Sequence, residues 1–461
     1  MKVLAIISVR AGAAGWRHGR PGGSDGSVLI IVLWIAFGLV SIALYFGHSM
    51  VFAYRASDQY QAGVEADLAM EGAARYVGYI LTNAASIGQI PETNSYQCAE
   101  VPIGNSTFWL IGRGDPEARQ TVPTYGLIDE ASKLNLNTAT AAMLEGLPRM
   151  TPELAAAIVD WRDSNEDVAT GGAESEFYQR RNPPYSCKNA PFETVEELRL
   201  VAGTDLTLLY GEDTNLNGIL DTNENDGSVL PPEDNRDGRL DPGILEYVTV
   251  YSRESNIRTN GEARINVNAG SPNALRTLLQ TALGQQRAAQ VQSRISAGAG
   301  RWRSLLEVYL NSGMTTAEFA LVSNDLSVTN TAQVEGLVNV NTAPAAVLAC
   351  IPGIGPDKAQ QVVSARMSKT ADELKSVAWL TQVLDNASAI QAGRYVTTHS
   401  YQFSADIAVT GHDGKGYRRS LFVFDTSEGA SKILYRRDRG RLGWALGAEP
   451  RTILTQGKKI R

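Results

Sequence analysis

A run of 21 residues without a charge, Ser27 to Gly47, constrains this chain more than any other feature. Roughly 20 apolar residues carry a helix across a bilayer, where every backbone polar group must be satisfied within the segment. A secretory signal has a shorter apolar core, about 7–15 residues, followed by a small-x-small cleavage site. The run SVLIIVLWIAFGLVSIALYFG meets neither condition. Before it, residues 1–26 set Lys2, Arg10, Arg17 and Arg20 against Asp25 and end in the loose stretch Pro21–Gly26. A basic flank stays cytoplasmic, so the bulk of the chain is expected on the far side of the membrane. Helical character continues beyond the apolar run. Ser49 to Leu81 is Ala-rich and has no proline, and Val64, Leu68, Ala69, Ala73 and Val77 recur at helical spacing. One helix is predicted over 27–82, within the membrane over 27–47.

The remaining chain has the makeup of a folded protein. Of 461 residues, 43% are hydrophobic and 20% charged, which excludes wholesale disorder. A net charge of −7 makes it a poor generic nucleic-acid binder, since phosphate contacts need clustered cations. Three cysteines cannot make a disulfide scaffold. Cys98 and Cys187 could pair outside the cytoplasm, and Cys350, in Val-Leu-Ala-Cys-Ile-Pro, reads as a buried small apolar residue. His18, His48, His399 and His412 are too scattered for a zinc cluster. His-Glu-x-x-His, Gly-x-Ser-x-Gly and P-loop motifs are absent, so the chain is not expected to be an enzyme.

An internal repeat organises the soluble part. Lys133-Leu-Asn-Leu-Asn-Thr-Ala139, Arg264-Ile-Asn-Val-Asn-Ala-Gly270 and Leu337-Val-Asn-Val-Asn-Thr-Ala343 each lead from an extended stretch towards two apolar helices. The pairs are Ala141–Leu147 with Pro152–Arg162, Pro272–Leu279 with Arg287–Ile295, and Pro344–Ile351 with Pro356–Arg366. The Asn and Thr residues are suited to capping helix N-termini. The third turn, Ile351-Pro-Gly-Ile-Gly-Pro356, resembles a helix-hairpin-helix motif. Such turns can hold DNA phosphates, but around this one Lys358 and Arg366 face Glu335 and Asp357. A structural or protein-contact role is therefore expected of it.

Acidic loops follow the first unit. Asp213-Thr-Asn215-Leu-Asn217-Gly218-Ile219-Leu-Asp221-Thr-Asn-Glu224 fits the twelve-residue EF-hand pattern. Asp213, Asn215 and Asn217 stand at positions one, three and five, Gly218 at the turn and the Ile219 carbonyl at seven. Asp221 falls at nine and the bidentate Glu224 at twelve. Hard oxygen ligands at this spacing suit calcium. A second loop carries Glu233, Asn235, Asp237 and Asp241 but has Ile244 at position twelve. The flanks hold only a short helix, Leu206–Tyr210, then prolines and a strand, Leu245–Ser252. Calcium loops without full EF-hand helices, acting as a brace, are the expectation. Further strands are predicted at Thr107–Ile111, Gly126–Asp129, Tyr401–Val409 and Arg419–Phe424, the last two flanking the hairpin signal His412-Asp413-Gly414. Residues 429–461, with nine Lys/Arg, read as a basic tail or a docking arm for an acidic partner.

The anchor resembles those of type IV pilins and type II secretion pseudopilins, in which a glycine precedes an apolar helix that continues amphipathically. The resemblance implies cleavage by a prepilin peptidase between Gly26 and Ser27. Position five of the mature chain is then Ile31, where most of that family carry Glu; a missing Glu is typical of the minor pseudopilin K. Ordered blocks after the first repeat unit are similar to that K family: Asp160-Trp161-Arg-Asp163, Gly172-Ala-Glu174, Pro183-Pro-Tyr185 and Glu197-Leu-Arg199. The resemblance implies an α+β fold, with a pseudopilin α/β core and a large, mainly helical inserted domain containing the hairpin units. It also implies calcium ligation by Asp160, Asp163 and Glu174. The expected organisation is a leader (1–26), the long helix (27–82), a core (83–130 and 391–428), helical parts (131–210 and 261–390), a calcium-loop segment (211–260) and a basic tail (429–461). The implied role is a minor pseudopilin at the pseudopilus tip, anchored in the inner membrane with its bulk in the periplasm. The implied partners are I- and J-type minor pseudopilins, the major pseudopilin, the prepilin peptidase, the inner-membrane secretion platform and exported proteins, with nucleic acid not among them. A DNA-contacting pseudopilin of a competence system stays open as an alternative.

Overall fold

The computed structural model describes residues 25–83, 88–114, 122–258, 260–269 and 272–447. Most of the expected leader therefore lies outside the described residues, while Gly26 and Ser27 stand in the first turn of a helix, Asp25–Asn83. Contacts divide the chain into Met1–Tyr60 and Gln61–Arg461. In the first unit the described part is helix, and its apolar side chains are open to the surroundings, Trp34 at 75% exposure. Over Ser27–Asn83 the most apolar window has a mean hydropathy of 2.7, long and apolar enough to cross a membrane.

In the second unit the helical residues Ala66, Ala69, Met70, Ala73, Ala74, Val77 and Leu81 form a stripe buried against an antiparallel sheet. Small side chains let the helix lie close, and spacings of three and four keep the stripe on one face. The stripe is rotated from the one the sequence suggests, since Val64 and Leu68 point outward at 42% and 69% exposure. Alanines, less apolar than valine or leucine, form the contact because the sheet offers large partners: Phe108, Leu110, Phe403, Ile407, Phe422 and Phe424.

The sheet runs in the order Val101–Ile103, Ser106–Ile111, Gln402–Thr410, Arg418–Asp425, Lys432–Asp438, and Ile128–Asp129 also pairs with Gln402–Thr410. All pairings in it are antiparallel, with Phe403 opposite both Phe424 and Asp129. The chain thus leaves the sheet after Asp129 and returns at Gln402, so the long insertion begins and ends at adjacent points. The core accordingly resumes at Gln402, whereas the sequence places its return at 391; Val396–Thr397 still belongs to the insert. The described part of the expected basic tail, 429–447, also differs from expectation, while 448–461 lies outside the described residues. Lys432–Asp438 is the sheet's edge strand, Ala445 and Leu446 are buried against Trp109, and Arg436 pairs with Glu71 and Arg437 with Glu196. Cations that look free along the sequence are paired with acids far away in the chain.

Each repeat unit closes on a short parallel pair. Leu134–Asn135 joins Val248–Thr249, Ile265–Asn266 joins Leu326–Ser327, and Val338–Asn339 joins Val396–Thr397. Of the strand expected over Leu245–Ser252, only Val248–Thr249 forms, after a 3-10 turn at Ile244–Glu246. The repeated asparagines do not cap helices. In each unit the first one accepts from the amide two residues on, at 2.8–2.9 Å. The second clamps a distant loop. Asn137 exchanges two bonds with the Phe192 backbone (3.0 and 2.7 Å), Asn268 does the same with Trp302 (2.8 and 3.1 Å), and Asn341 bonds Leu374 O and Trp379 Nε1. In the first unit the cap is Thr140, which accepts from Met143 N at 3.3 Å. Asn137→Ala would leave two backbone groups of Phe192 without partners, and a loss of about 1–3 kcal/mol is expected in urea unfolding. Units one and three share one core, which includes Trp161, Leu198, Val338 and Trp379, while unit two has its own around Leu279, Val291 and Phe319.

Candidate metal centre

Two acidic centres lie in the insert. The first is the loop from Asp213 to Glu224. Asp213 is buried, and its carboxylate accepts from Asn217 N and Gly218 N, both at 2.9 Å. Gly218 has φ +69°, a left-handed conformation that glycine adopts without strain. Asn215 and Asn217 both reach Asp221 Oδ2, at 2.8 and 3.0 Å, and Glu224 Oε2 accepts from Asp221 N at 3.0 Å. Asp213, Asn215, Asn217, Asp221 and Glu224 therefore converge within one loop, where Ile219 is buried and its amide bonds Asn217 Oδ1.

One atom there lacks a protein partner: Glu224 Oε1 is buried without a hydrogen bond. Burial, with Asp213 adding repulsion, pushes the Glu224 carboxyl up to about 8. Burial also raises Asp213, against the pull of Arg113. Buried, mutually repelling oxygens call for a cation, so the donor set fits calcium, which takes oxygen ligands in flexible geometry.

The loop is fastened to the sheet from outside. Leu216, at φ +54°, offers its carbonyl to Arg113 Nη2 (2.7 Å) and Arg419 Nη2 (2.6 Å), and Asn215 O accepts from Arg419 Nη1 at 2.5 Å. Arg419 is fully buried and bidentate to Asp406, at 2.9 and 2.6 Å, with Arg439 adding a bond of 2.7 Å. Burial alone would raise the Asp406 carboxyl, but the guanidinium groups hold it down at about 2. All nine residues of Gln402–Thr410 are buried. On its insert-facing side Gln402 accepts from Arg253 N and Ser404 donates to Glu130, beside Asp406. Arg113, Asp406, Arg419 and Arg439 escape a reading of sequence; for Asp406 and Arg419 the available signal is a charge within a mainly apolar strand.

The second loop is not gathered as expected. Asn235 and Asp237 touch at 3.3 Å, but Glu233 is exposed and Asp241 is drawn to Arg149. Asp234, absent from the expected set, anchors the turn by accepting from the amides of Asp226, Gly227 and Arg236. The four residues Glu233, Asn235, Asp237 and Asp241 are therefore not brought together, the ninth-position carboxylate being drawn to an arginine.

The second centre brings Asp160, Asp163 and Glu174 together, one carboxylate oxygen of each within 4.8 Å of the others. Asp160 lies in the last turn of the helix Pro152–Arg162, Asp163 follows it, and Glu174 precedes the helix Ser175–Gln179. Backbone closes tightly over the group, since a Cβ at Gly172 would collide with Asp160. Glu174 is 2% exposed and neither of its carboxylate oxygens has a hydrogen-bond partner. Burial pushes its carboxyl up to about 7, and Asp160 is raised for the same reason. This set also fits a hard divalent cation.

The cysteines do not pair. All three are free and buried, Cys98 in the helix-on-sheet core and Cys187 in the core of the insert. The two sit in different cores, and the Cys98–Cys187 bond that the sequence allowed does not form. Cys350 is buried as expected.

A long apolar helix, laid at its far end on an antiparallel sheet with a helical domain inserted between two of that sheet's strands, makes an α+β architecture. More particularly, the chain resembles type II secretion system protein K. Sequence models of that protein, described as "Type II secretion system (T2SS), protein K", match residues 129–210 and 338–397. Over 69 residues the chain is 41% identical to the type II secretion system protein K of Klebsiella pneumoniae. That match covers 14% of this chain and 21% of the relative, about a fifth of its length. Among solved structures, one chain of the GspK–GspI–GspJ complex of the enterotoxigenic Escherichia coli type 2 secretion system aligns over 83% of this chain and 98% of its own, at 12% identity and a TM-score of 0.42.

Proposed function

We propose that this chain is a minor pseudopilin of a type II secretion system, anchored in the inner membrane by residues 27–47 and capping the pseudopilus tip. The observation that carries the reading is the match to protein K in two segments that both lie within the insert of a helix-on-sheet fold. The apolar helix packs among the helices of sibling pseudopilins. An insert of this bulk, joined to the sheet at adjacent points, blocks further subunits from adding above it, which is what a cap requires. Calcium acts as a brace. Asp213, Asn215, Asn217, Asp221, Glu224 and the Ile219 carbonyl hold one ion, and Asp160, Asp163 and Glu174 a second. The bound ion supplies the positive charge that the buried carboxylates lack, and the chain's own arginines orient the first loop against the sheet.

The packing of the third hairpin supports a structural use over a DNA-contacting one. A Cβ on Gly353 would collide with the Ser388 carbonyl, and Lys358 Nζ is held by Asp385 and Ser388, both at 2.7 Å. Co-expression with the prepilin peptidase and with I- and J-type minor pseudopilins tests the reading. A chain beginning at Ser27 and co-purifying with both is expected. A chain that keeps Met1 and elutes alone would refute it, and tight binding of duplex DNA at physiological salt would favour the competence reading.

A further inference from the structure

Residues 264–306 hold six arginines, at 264, 276, 287, 294, 301 and 303, and no Asp or Glu. The rest of the chain carries 36 Lys and Arg against 49 Asp and Glu, so this stretch of the second repeat unit is a cationic island on an acidic protein. Two of the six are already used. Arg264 is buried against Glu254, and Arg287 is bidentate to Glu318, at 2.8 and 2.9 Å, with a further bond to the Gly313 carbonyl. Arg276, Arg294, Arg301 and Arg303 are exposed, and none of them pairs with an acid among the described residues. The acids that follow along the chain are engaged: Glu307 accepts from the Arg303 amide at 2.9 Å, Glu318 holds Arg287, and Asp325 holds Arg258. The free cations stand on both flanks of one helix. Gln285–Ala297 buries Ala288, Val291 and Ile295. On one flank Arg276, from the neighbouring helix Pro272–Leu283, lies 3.4 Å from Gln292 and lines a shallow groove with Gln280, Gln285, Ser293 and Ser296. On the other, Arg294 follows Arg287 by two helical turns and closes over Gly313, where a Cβ would collide with its guanidinium. The outer face between the flanks, Gln286, Gln290 and Ala297, is exposed and uncharged.

Guanidinium forks match carboxylates and phosphates, so the partner of this face carries anions. Three features select a protein. Lipid insertion needs large apolar side chains, and no large hydrophobic residue of the described part of 264–306 is exposed. Single-stranded nucleic acid needs aromatic platforms, and the one aromatic residue in the stretch, Trp302, is half-buried with its Nε1 on the Ile295 carbonyl at 3.0 Å. Duplex nucleic acid extends beyond the island onto the acidic remainder of the chain, which repels it; a short acidic segment does not. We infer that the outer face of Gln285–Ala297, with its Arg276 and Arg294 flanks, is a docking surface for an acidic segment of a partner protein. A helix is about 10–12 Å across and an extended chain advances about 3.3 Å per residue, so carboxylates three or four residues apart reach both flanks. The inference goes beyond the pseudopilin reading and depends on neither acidic centre. It gives this unit the role that the sequence suggests for residues 429–461, where Arg436, Arg437 and Arg439 are paired.

The probe is a fluorescein-labelled peptide in which Glu recurs at every third position among Ser and Gly residues. The full chain in detergent is titrated into it and anisotropy is read. Saturable binding is expected, weakening several-fold as salt rises from dilute buffer to physiological strength. The same peptide with Gln in place of Glu should not bind. Arg276→Gln, Arg294→Gln and Arg301→Gln together should weaken binding by about tenfold or more. Arg180→Gln, Arg181→Gln and Lys375→Gln, which remove the same charge from other exposed positions, should stay within about twofold of the parent. Phenylglyoxal labelling of the parent chain, read by mass spectrometry, measures the contact without a variant: bound peptide should protect Arg276, Arg294 and Arg301 and leave Arg180 and Arg181 reactive. Equal loss of affinity in the two triple variants, or no protection of the three arginines, overturns the proposal. Tighter binding of a duplex DNA of equal charge also overturns it and assigns the face to nucleic acid. Salt-sensitive dimerisation of the parent that the first triple variant lacks assigns the face to a second copy of this chain and overturns the foreign partner.

Discussion

Calcium is expected to raise the melting temperature of the purified chain by several degrees, and the gain should shrink to a fraction in the double variant Asp213→Ala, Glu224→Ala. An ion that binds only the folded state at 100 times its Kd contributes about 2.7 kcal/mol. The gain should also grow with pH, for a reason set by Glu224. Burial and the nearby Asp213 push its carboxyl from an ordinary 4.5 to about 8. A carboxyl raised in the folded state is tolerated there while protonated. Between the ordinary carboxylate range and about pH 8 the calcium-free fold therefore binds more protons than the unfolded chain, and it loses stability as pH rises through that window. A bound divalent cation compensates the ionised carboxylate and removes the loss. Melting curves with calcium and with chelator should diverge from pH 5 to pH 8. Parallel curves, or no calcium effect in the parent, would refute the brace.

Replacing Arg419 should cost more than any other single change in the sheet. Its guanidinium is wholly buried, pairs in bidentate fashion with Asp406 and donates to the carbonyls of Asn215 and Leu216. Arg419→Met leaves Asp406 with Arg439 alone and strips the Asn215 carbonyl of its arginine donor. Removing one partner of a buried ion pair costs about 3–5 kcal/mol, and urea denaturation should read a loss of that size. Arg419→Met with Asp406→Leu should recover part of it, because the second change removes the uncompensated charge. The single variant should also bind calcium more weakly, since Leu216 at φ +54° is held by the same donors. A loss below 1 kcal/mol would show that Arg439 suffices to hold Asp406.

Much of the fold is legible along the chain because its signals are local. The strand runs at Thr107–Ile111 and Tyr401–Val409 fall within a residue of Ser106–Ile111 and Gln402–Thr410. The helix predicted at Pro152–Arg162 forms with those bounds, since Thr151 caps it and a proline opens it. The loop Asp213–Glu224 is readable because its spacing encodes its own turn. Where sequence misleads, a distant partner decides. Val64 and Leu68 satisfy helical periodicity but point outward because the phenylalanines of the sheet meet the alanine face. Arg436 and Arg437 look free along the sequence because their acids, Glu71 and Glu196, lie hundreds of residues away.

The apolar helix, the three asparagine-led units and the turn of the first acidic loop are written locally in the chain. Each announces itself in residues close along the chain, where local patterning and backbone geometry carry the signal. Packing alone sets that Arg419 reaches across 204 residues to Asn215 O, that Cys187 stands by the Asp160 carbonyl rather than by Cys98, and that Asp241 goes to Arg149. Those choices depend on which buried charges and sulfurs the packed chain brings face to face. In a low-dielectric interior such groups settle on whichever partner the fold supplies.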